Sequence, residues 1–400
     1  MIMDLLNLLL YNHLIKTKEK AMTLMLNEGA KEIISLLNQN NHKAYAVGGC
    51  VRDQLMGKTP FDFDITTDAT ADEMLEIFSS YKIIKSGIKH GTVAVIINSE
   101  VFECTTFRID GDYKDSRHPD RVYFSRNLED DLSRRDFTIN ALCYNETEGL
   151  IDIFSGRKDI ENKIIRSIGD AEKRFKEDAL RILRGMRFSS TLGFSIEEKT
   201  KDGMIRCAPL LEEISKERKT EELKKMICGE NLLYVVDDFQ DIFRLLLPGI
   251  NLSTQPKEEL VASNRDFEYR MSLILRNAEN KEQIFTNLRF SNATLLNIKE
   301  LSSMNIPESK VELKKMLKKY KKDNVLKYID SNHLEEAQKW YSEIMENNEC
   351  YSLRSLSVTG RDILKTGADP KKVGTILDAL LDRVIEETAH NTKEELLKLL

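Results

Sequence analysis

The sequence predicts an α+β protein: a head with a small mixed sheet, followed by an all-helical neck, body and tail. Two observations predict this class. Short apolar runs bounded by turn residues are confined to about the first 150 residues. From Ala171 onwards, apolar residues recur at helical spacing and no further strand is predicted. The length of 400 residues, at roughly 150 residues per domain, predicts two or three domains.

The predicted elements of the head follow from local patterns. Apolar residues at helical spacing predict a helix over residues 30–38. Residues 44–47 form a short apolar run that ends at Gly48 and Gly49, which predicts a strand and then a tight turn. Residues 61–65 alternate apolar and acidic side chains, which predicts a half-buried strand. The other predicted elements are helices over 71–79 and 128–142, paired strands over 92–97 and 101–107 with a turn at 98–100, and a polar loop over 111–120.

Proline and glycine residues divide the helical remainder, with a plausible boundary at Pro248, Gly249 and Pro256. The start of the chain, residues 1–10, is apolar but far shorter than a membrane span, and it lacks the basic lead and cleavage site of a secretory signal. We therefore favour a leader segment, or an artefact of an upstream translation start, over a docking helix. The predicted segments are an N-terminal extension (1–28), the head (29–155), the neck (156–250) and a body and tail (251–400).

The composition, with 41% apolar and 32% charged residues, is typical of a soluble globular protein. The six cysteines form no CxxC pair, which disfavours a zinc site or a disulfide framework and predicts reduced thiols in the cytoplasm. The six histidines include no His-Asp doublet, which argues against an appended metal phosphohydrolase.

The net charge of −6 provides no basic field over the whole molecule, so contact with a nucleic acid must depend on a local patch. The strongest local candidate is the basic stretch over residues 310–327. A solvated helix face explains the same stretch equally well. Its lysines include Lys314, Lys315, Lys318, Lys319, Lys321 and Lys322.

The strongest chemical signal is the run Gly48 to Asp53, followed closely by Asp62 and Asp64. Positions two apart on a strand point to the same face, so the two carboxylates should project together. Adjacent acids are costly unless a cation lies between them, and Mg²⁺ prefers such oxygens together with substrate phosphates. Gly49 would let backbone amides approach a phosphate, and Arg52 would add a charged contact. This combination predicts in-line attack at phosphorus with Asp62 and Asp64 as catalytic metal ligands.

The stretch from Ala46 to Thr66 resembles the head of class II tRNA nucleotidyltransferases, the family of CCA-adding enzymes and bacterial poly(A) polymerases. The resemblance continues through residues 134–141, which look like the family's ribose-recognition motif, and is dense to about Phe194. It implies that Arg135 and Asp136 hold the incoming nucleotide, with Asp136 accepting a hydrogen bond from the ribose 2′-OH. Taken alone, the same residues read as a surface ion-pair cluster.

A third motif runs from Glu177 through Arg187. If the stretch is one helix, Asp178 and Arg181 share a face, and Glu177 can hold Arg181. In the family, the equivalent stretch resembles a protein template for the base: the aspartate accepts from the amine of cytosine or adenine, and the arginine donates to the ring. Arg184 and Arg187 would face the phosphates or sugar. Without the resemblance, the stretch reads as a charged exposed helix.

Two further features bear on the reaction. Glu103 alternates on its predicted strand and is a candidate third carboxylate. The loop from Asp110 to Pro119 resembles the flexible element with which family members change from C to A addition, which argues against an enzyme that adds only C.

The resemblance implies addition of C, C and A to the 3′ end of tRNA from CTP and ATP, with Mg²⁺ as cofactor and pyrophosphate released. A poly(A) polymerase and an A-adding enzyme are the nearest alternatives. A non-catalytic RNA-binding scaffold and nucleotidyl transfer to an antibiotic are more distant. No membrane association is predicted.

Overall fold

The computed structural model describes residues 24–110, 122–248, 250, 257–276, 278 and 281–400. The predicted leader, the whole polar loop over 111–120, and Gly249 and Pro256 of the predicted boundary lie outside these residues. The chain forms two compact units, one up to Lys219 and the other from Thr220 to Leu400. This division lies inside the predicted neck (156–250), and the finer division into head, neck and body stays a prediction.

The first unit contains a mixed sheet, which confirms the predicted α+β class. The strands of the described residues are β1 (Ala44–Val47), β2 (Asp64–Thr67), β3 (Lys82–Ile84), β4 (Thr92–Ile97), β5 (Glu100–Thr106), β6 (Arg108–Asp110), β7 (Val122–Phe124), β8 (Leu142–Asn145), β9 (Gly149–Asp152), β10 (Ile164–Ile165) and β11 (Ser195–Ile196). Seven of them form the sheet in the order β3-β4-β5-β2-β1-β8-β9. Within it, β2 and β5 are parallel, and the other neighbours are antiparallel.

The β4–β5 hairpin confirms the prediction from the sequence. Its turn lies at Asn98 and Ser99, which both have positive φ angles, of 50° and 68°. Two consecutive left-handed residues match the twist of the flanking strands. The short parallel pair β10–β11 was not predicted, and it places one strand beyond Ala171.

The helices of the first unit surround the sheet and continue beyond it. They are α1 (Glu28–Gln39), α2 (Gly49–Leu55), α3 (Ala71–Ile77), α4 (Leu128–Ser133), α5 (Gly156–Glu161), α6 (Ala171–Glu177), α7 (Leu180–Leu192) and α8 (Glu198–Cys207), with α9 (Lys216–Ile227) beginning in this unit. One buried cluster beneath the sheet joins Tyr45 and Val47 of β1 to Phe107, Leu132 and Ile168.

The predicted helix over residues 128–142 is wrong, because only Leu128–Ser133 is α-helical. Phe137 is extended and pairs with Ser167, while the amide of Thr138 donates to the carbonyl of Arg166. The chain then enters β8, which pairs with β1. These partners are distant in sequence, and their pairing prevails over the local helical pattern.

The predicted strand over residues 61–65 begins later than expected, at Asp64. Its antiparallel partner β1 ends at Val47, which is paired with Asp64. Gly48 then turns the chain away with a φ of +80°, so the residues before Asp64 have no residue of β1 opposite them. Phe61 is fully exposed as a result.

The described part of the second unit is helical. Its helices are α10 (Leu232–Asp238), α11 (Gln240–Leu246), α12 (Lys257–Ala262), α13 (Phe267–Ile274), α14 (Lys281–Leu288), α15 (Asn292–Ser302), α16 (Lys310–Lys319), α17 (Lys322–Ser331), α18 (Glu335–Glu346), α19 (Gly360–Lys365), α20 (Val373–Ile385) and α21 (Lys393–Lys398). In the portion of the chain that the structure describes, no helix is long and apolar enough to cross a membrane. All six cysteines are free thiols, and all except Cys228 are buried.

Candidate active site

The turn after β1 brings a guanidinium against the backbone. Gly48 has a φ of +80°, which side-chain-bearing residues rarely adopt, and a Cβ atom here would lie 3.3 Å from Nη1 of Arg135. Gly49 is the predicted phosphate-binding glycine. A Cβ atom added at Gly49 would lie 3.7 Å from Nη2 of Arg52, which is an ordinary van der Waals distance. Gly48 is therefore the residue that the conformation of this turn requires.

Three acids converge at the start of β2. Asp62 and Asp64 are exposed while Phe63 and Ile65 are buried, so the predicted alternation holds although only Asp64 belongs to a strand. The pairing of Ile65 with Cys104 places Glu103 across from Asp64 in the parallel register. Glu103 is also exposed.

The charges of Asp62 and Glu103 both act on Asp64. Loss of surrounding water, then repulsion from Asp62 and Glu103, raises the pKa of Asp64 to about 6, and Arg135 acts in the opposite direction. Water is displaced by the protein around the carboxylate even though the residue as a whole is exposed. We name Asp62, Asp64 and Glu103 the acidic corner. Among the described residues, no group of three or more acids, histidines or cysteines is already arranged to hold a metal ion.

Arg135 is fixed by an aspartate that the sequence analysis did not single out. Asp131 is completely buried, and its carboxylate pairs with Arg134 at 2.6 Å and Arg135 at 3.1 Å. The hydroxyl of Thr66 donates to the same carboxylate. Burial disfavours the charge on Asp131, but the two guanidiniums prevail and lower its pKa. Asp131 lies three residues before Arg134 and four before Arg135, and this helical spacing was the signal in the sequence for the two ion pairs.

Asp136 lies at the centre of a buried polar network. Its Oδ1 accepts hydrogen bonds from the amide of Phe137 at 2.8 Å and from Nδ2 of Asn140 at 3.0 Å. Its Oδ2 accepts from Nε of Arg184 at 2.7 Å. Burial opposes ionisation, but Arg184 and the two hydrogen-bond donors lower the pKa of Asp136 to about 2. Both carboxylate oxygens are thus engaged, and direct contact of Asp136 with a ribose stays a prediction.

The network continues to the helix after Gly48. Oδ1 of Asn140 accepts from Nη1 of Arg52 at 2.7 Å, and Arg52 also pairs with Asp53. The sequence predicted Arg52 but not Asn140, which joins Arg52 to Asp136.

Phe188 supports the arginines of this network. The guanidinium carbons of Arg187, Arg52 and Arg184 lie 3.9, 5.2 and 5.6 Å from the centre of its ring. Cations within about 6 Å of an aromatic ring centre are attracted by the partial negative charge on the face of the ring. The ring is held edge-to-face by Phe137, with 6.0 Å between centroids. Three of the arginines predicted to bind nucleotide therefore share one aromatic contact.

The stretch from Glu177 to Arg187 is not the continuous helix that was predicted. Asp178 is extended, with φ −146° and ψ 101°, and separates α6 from α7. Its Oδ1 accepts from the amide of Leu180 at 3.0 Å, and such a local side-chain contact competes with helical backbone. Its Oδ2 pairs with Arg218 at 2.9 Å. The expectation that Asp178 and Arg181 share one face of a helix is wrong.

Arg181 is held as the sequence suggested. Its Nη1 lies 2.8 Å from Glu177 and also donates to the carbonyl of Arg174, which confirms the predicted pairing with Glu177. Its Nη2 donates to the carbonyl of Arg134 at 3.0 Å. The side chain is buried, so its guanidinium has one defined orientation.

In the second unit, ion pairs already engage part of the basic stretch over residues 310–327, whose contact with phosphate stays a prediction. Lys314 is buried and lies 2.6 Å from Glu349. Lys315 pairs with Glu386 at 2.7 Å, and Lys318 pairs with Asp378 and Asp382. Glu349, which follows α18, and acids on α20 or directly after it therefore neutralise these three lysines. Contact with phosphate would require breaking ion pairs that already exist.

The fold and this site define the protein as a nucleotidyltransferase. Residues 44–166 match the family model described as "Poly A polymerase head domain", and residues 193–251 match the model "Probable RNA and SrmB- binding site of polymerase A". The first match covers the sheet, the acidic corner and Asp136.

Whole-length relatives define the family. The chain is 36% identical to the CCA-adding enzyme of Staphylococcus haemolyticus over 389 residues, which cover 92% of this chain and 96% of the relative. It is 33% identical to the CCA-adding enzyme of Enterococcus faecalis over 92% and 94% of the two chains. The crystal structure of the Bacillus stearothermophilus CCA-adding enzyme in complex with CTP covers 94% of this chain, and this chain covers 98% of that one, with a TM-score of 0.77 and 30% identity. The chain belongs to the family of CCA-adding enzymes.

Proposed function

We propose that this protein adds C, C and A to the 3′ end of tRNA from CTP and ATP and releases pyrophosphate. The acidic corner beside Arg135 is the observation that carries the proposal, because transfer to a hydroxyl needs oxygen ligands for a cation next to a group that attracts phosphate. Family membership over the whole chain supports tRNA as the substrate. Reduced thiols and a tRNA substrate support a cytoplasmic location.

The acidic corner fits Mg²⁺. Its donors are hard carboxylate oxygens, and loss of surrounding water, then repulsion from Asp62 and Glu103, raises the pKa of Asp64, which a bound cation would counteract. Asp62 and Asp64 would hold the ion, with Glu103 as a candidate third carboxylate. When bound, Mg²⁺ supplies charge stabilisation for the triphosphate and lowers the pKa of the attacking hydroxyl.

The remaining residues bind and orient the nucleotide. Arg135, fixed by Asp131, lies where it can attract the triphosphate to the acidic corner. Arg52, Arg184 and Arg187 hold the phosphates and sugar, and Asp136 keeps Arg184 in place. The 3′-hydroxyl of tRNA then attacks the α-phosphorus, a new phosphodiester forms, and the bond to the leaving pyrophosphate breaks.

Base selection depends on Asp178 and Arg181. An ionised aspartate only accepts hydrogen bonds and an arginine only donates them. The pair therefore matches cytosine and adenine, which present an amine next to an acceptor nitrogen. Uracil and guanine present the reverse order. Glu177 fixes Arg181, so the donor half of this pair is already oriented.

The experiment uses purified protein, tRNA that lacks CCA, and each NTP alone and in combination. CTP alone should add two residues, CTP with ATP should complete CCA, and UTP and GTP should not be used. Asp64→Ala should lower the rate by far more than tenfold, a barrier increase above about 1.4 kcal/mol. Asp202→Ala, at an exposed position on α8, is the matched control.

Other outcomes separate the alternatives. A poly(A) polymerase is the second candidate, because residues 44–166 match a poly(A) polymerase head domain. Synthesis of long A tracts without CTP would identify a poly(A) polymerase. Activity only on tRNA that already ends in CC would identify an A-adding enzyme. Full activity of Asp64→Ala would contradict the metal-binding role of the acidic corner.

A further inference from the structure

Arg218 contacts the carboxylate to which we assign base selection. We propose that Arg218 is a specificity-determining positioning residue, which holds Asp178 in the orientation that accepts a hydrogen bond from the base amine. The inference rests on the proposed function and adds a residue that lies outside the motif containing Asp178.

The backbone leaves Asp178 dependent on side-chain contacts. It occupies the first position of a two-residue break between α6 and α7, where the regular helix does not define its direction. Two contacts orient its carboxylate: the amide of Leu180 on Oδ1 at 3.0 Å and Nη2 of Arg218 on Oδ2 at 2.9 Å. Without Arg218, Oδ2 loses its charged partner and the group can turn about the remaining contact.

The two halves of the base-reading pair are restrained in parallel ways. Glu177 holds Arg181 at 2.8 Å, and Arg218 holds Asp178 at 2.9 Å. Each base-reading side chain thus has an oppositely charged partner. The side chains of Asp178 and Arg218 are 17% and 24% exposed, so water screens this pair only partly while a ligand can still reach it.

A second observation at Arg218 also indicates a ligand. Its Nη1 is buried and has no hydrogen-bond partner among the residues that the structure describes. A buried charged donor without an acceptor is costly, so native proteins usually provide a partner. An acceptor atom of the bound nucleotide or tRNA end would satisfy Nη1 next to Asp178.

The test measures insertion of a single nucleotide into tRNA lacking CCA, with kcat and KM determined separately for CTP, ATP, UTP and GTP. The proteins are wild type, Arg218→Gln, Arg218→Lys, Asp178→Ala and the double variant Asp178→Ala with Arg218→Gln. Arg206→Gln is the matched control, because Arg206 forms an exposed pair with Glu172 at 2.7 Å on the same unit.

Arg218→Gln should raise the kcat/KM of UTP relative to CTP by on the order of tenfold, at the lower end of what one base-reading contact provides. The double variant should be no less selective than Asp178→Ala, because Arg218 acts through that carboxylate. Arg218→Lys keeps the charge without the planar fork and should fall between wild type and Arg218→Gln. Arg206→Gln should select as wild type does.

The UTP-to-CTP ratio is measured within one preparation, so it does not depend on the fraction of folded protein. Equal loss of activity with all four nucleotides would show that Arg218 is merely structural, and an unchanged ratio or additive effects in the double variant would also overturn the inference. A wild-type protein that adds no C to this tRNA would instead contradict the proposed function.

Discussion

Replacing Asp136 with asparagine tests whether the buried network beneath the site depends on charge. The substitution keeps the shape of the side chain and allows Oδ1 to accept from Phe137 and Asn140. In the wild type, Nε of Arg184 donates to Oδ2 at 2.7 Å. In the variant, the NH2 group of asparagine would replace Oδ2, and two hydrogen-bond donors would face each other. We expect Asp136→Asn to destabilise the first unit and to weaken nucleotide binding through Arg184.

The magnitude follows from the pKa. In the folded protein the pKa of Asp136 is lowered from 3.8 to about 2, which corresponds to about 2.5 kcal/mol of unfolding free energy at pH 7. Removing one partner of a fully buried pair costs about 3–5 kcal/mol, and the 35% exposure of Arg184 reduces this. The expected loss is therefore about 2–3 kcal/mol.

The pH dependence has a definite sign. Because the folded pKa is depressed, the contribution of the charge is fully present above about pH 4 and is lost as the pH falls towards 2. The difference between wild type and Asp136→Asn should therefore be complete at pH 7 and roughly halved near pH 3.

Urea unfolding followed by far-UV circular dichroism at pH 7 and pH 3 measures this difference. The single tryptophan, Trp340 on α18, lies in the second unit, so its fluorescence provides a control transition that should not shift. Asp202→Asn is the exposed control substitution. A loss below about 1 kcal/mol at pH 7, or a difference that grows in acid, would refute the reasoning.

Two further substitutions test the aromatic support and the neutralised lysines. Phe188→Leu should raise the KM for CTP and ATP about fivefold each, since a cation–π contact provides about 1 kcal/mol, and an unchanged KM in steady-state kinetics would refute this role. Lys314→Met should destabilise the second unit by about 1 kcal/mol, measured by Trp340 fluorescence, because Glu349 loses the lysine that lies 2.6 Å away but keeps its pair with Lys310. The same variant should leave the salt dependence of tRNA binding unchanged, whereas a phosphate contact would reduce the log–log slope by roughly 0.7–0.9.

Elements whose signals are local could be predicted from the sequence. The apolar run that ends at Gly48 gave β1, and the hairpin over 92–106 followed from alternation and its turn. Elements that depend on distant partners could not be predicted. The helix predicted over 128–142 ends early because the chain enters β8, which pairs with β1, and the start of β2 depends on where β1 ends.

The residues of the candidate site also differ in whether their signals in the sequence are local. Asp64 and Arg135 were found because their motifs are contiguous, and the geometry brings them together. Phe188 could not be recognised, because an aromatic residue on an amphipathic helix usually belongs to the core. Arg218 lies 40 residues beyond Asp178, and neither spacing nor composition relates the two.

The two aspartates of the acidic corner differ in how their backbone is restrained. Asp64 lies on β2, which has β1 on one side and β5 on the other, whereas Asp62 precedes the strand and follows the exposed Phe61. As ligands of the proposed cation, Asp64 would thus be fixed and Asp62 adjustable. A cation of different radius could be accommodated by movement at position 62, while a longer side chain at 64 would displace its oxygens with no compensating shift. Redesign of this site for another metal ion should therefore begin at Asp62.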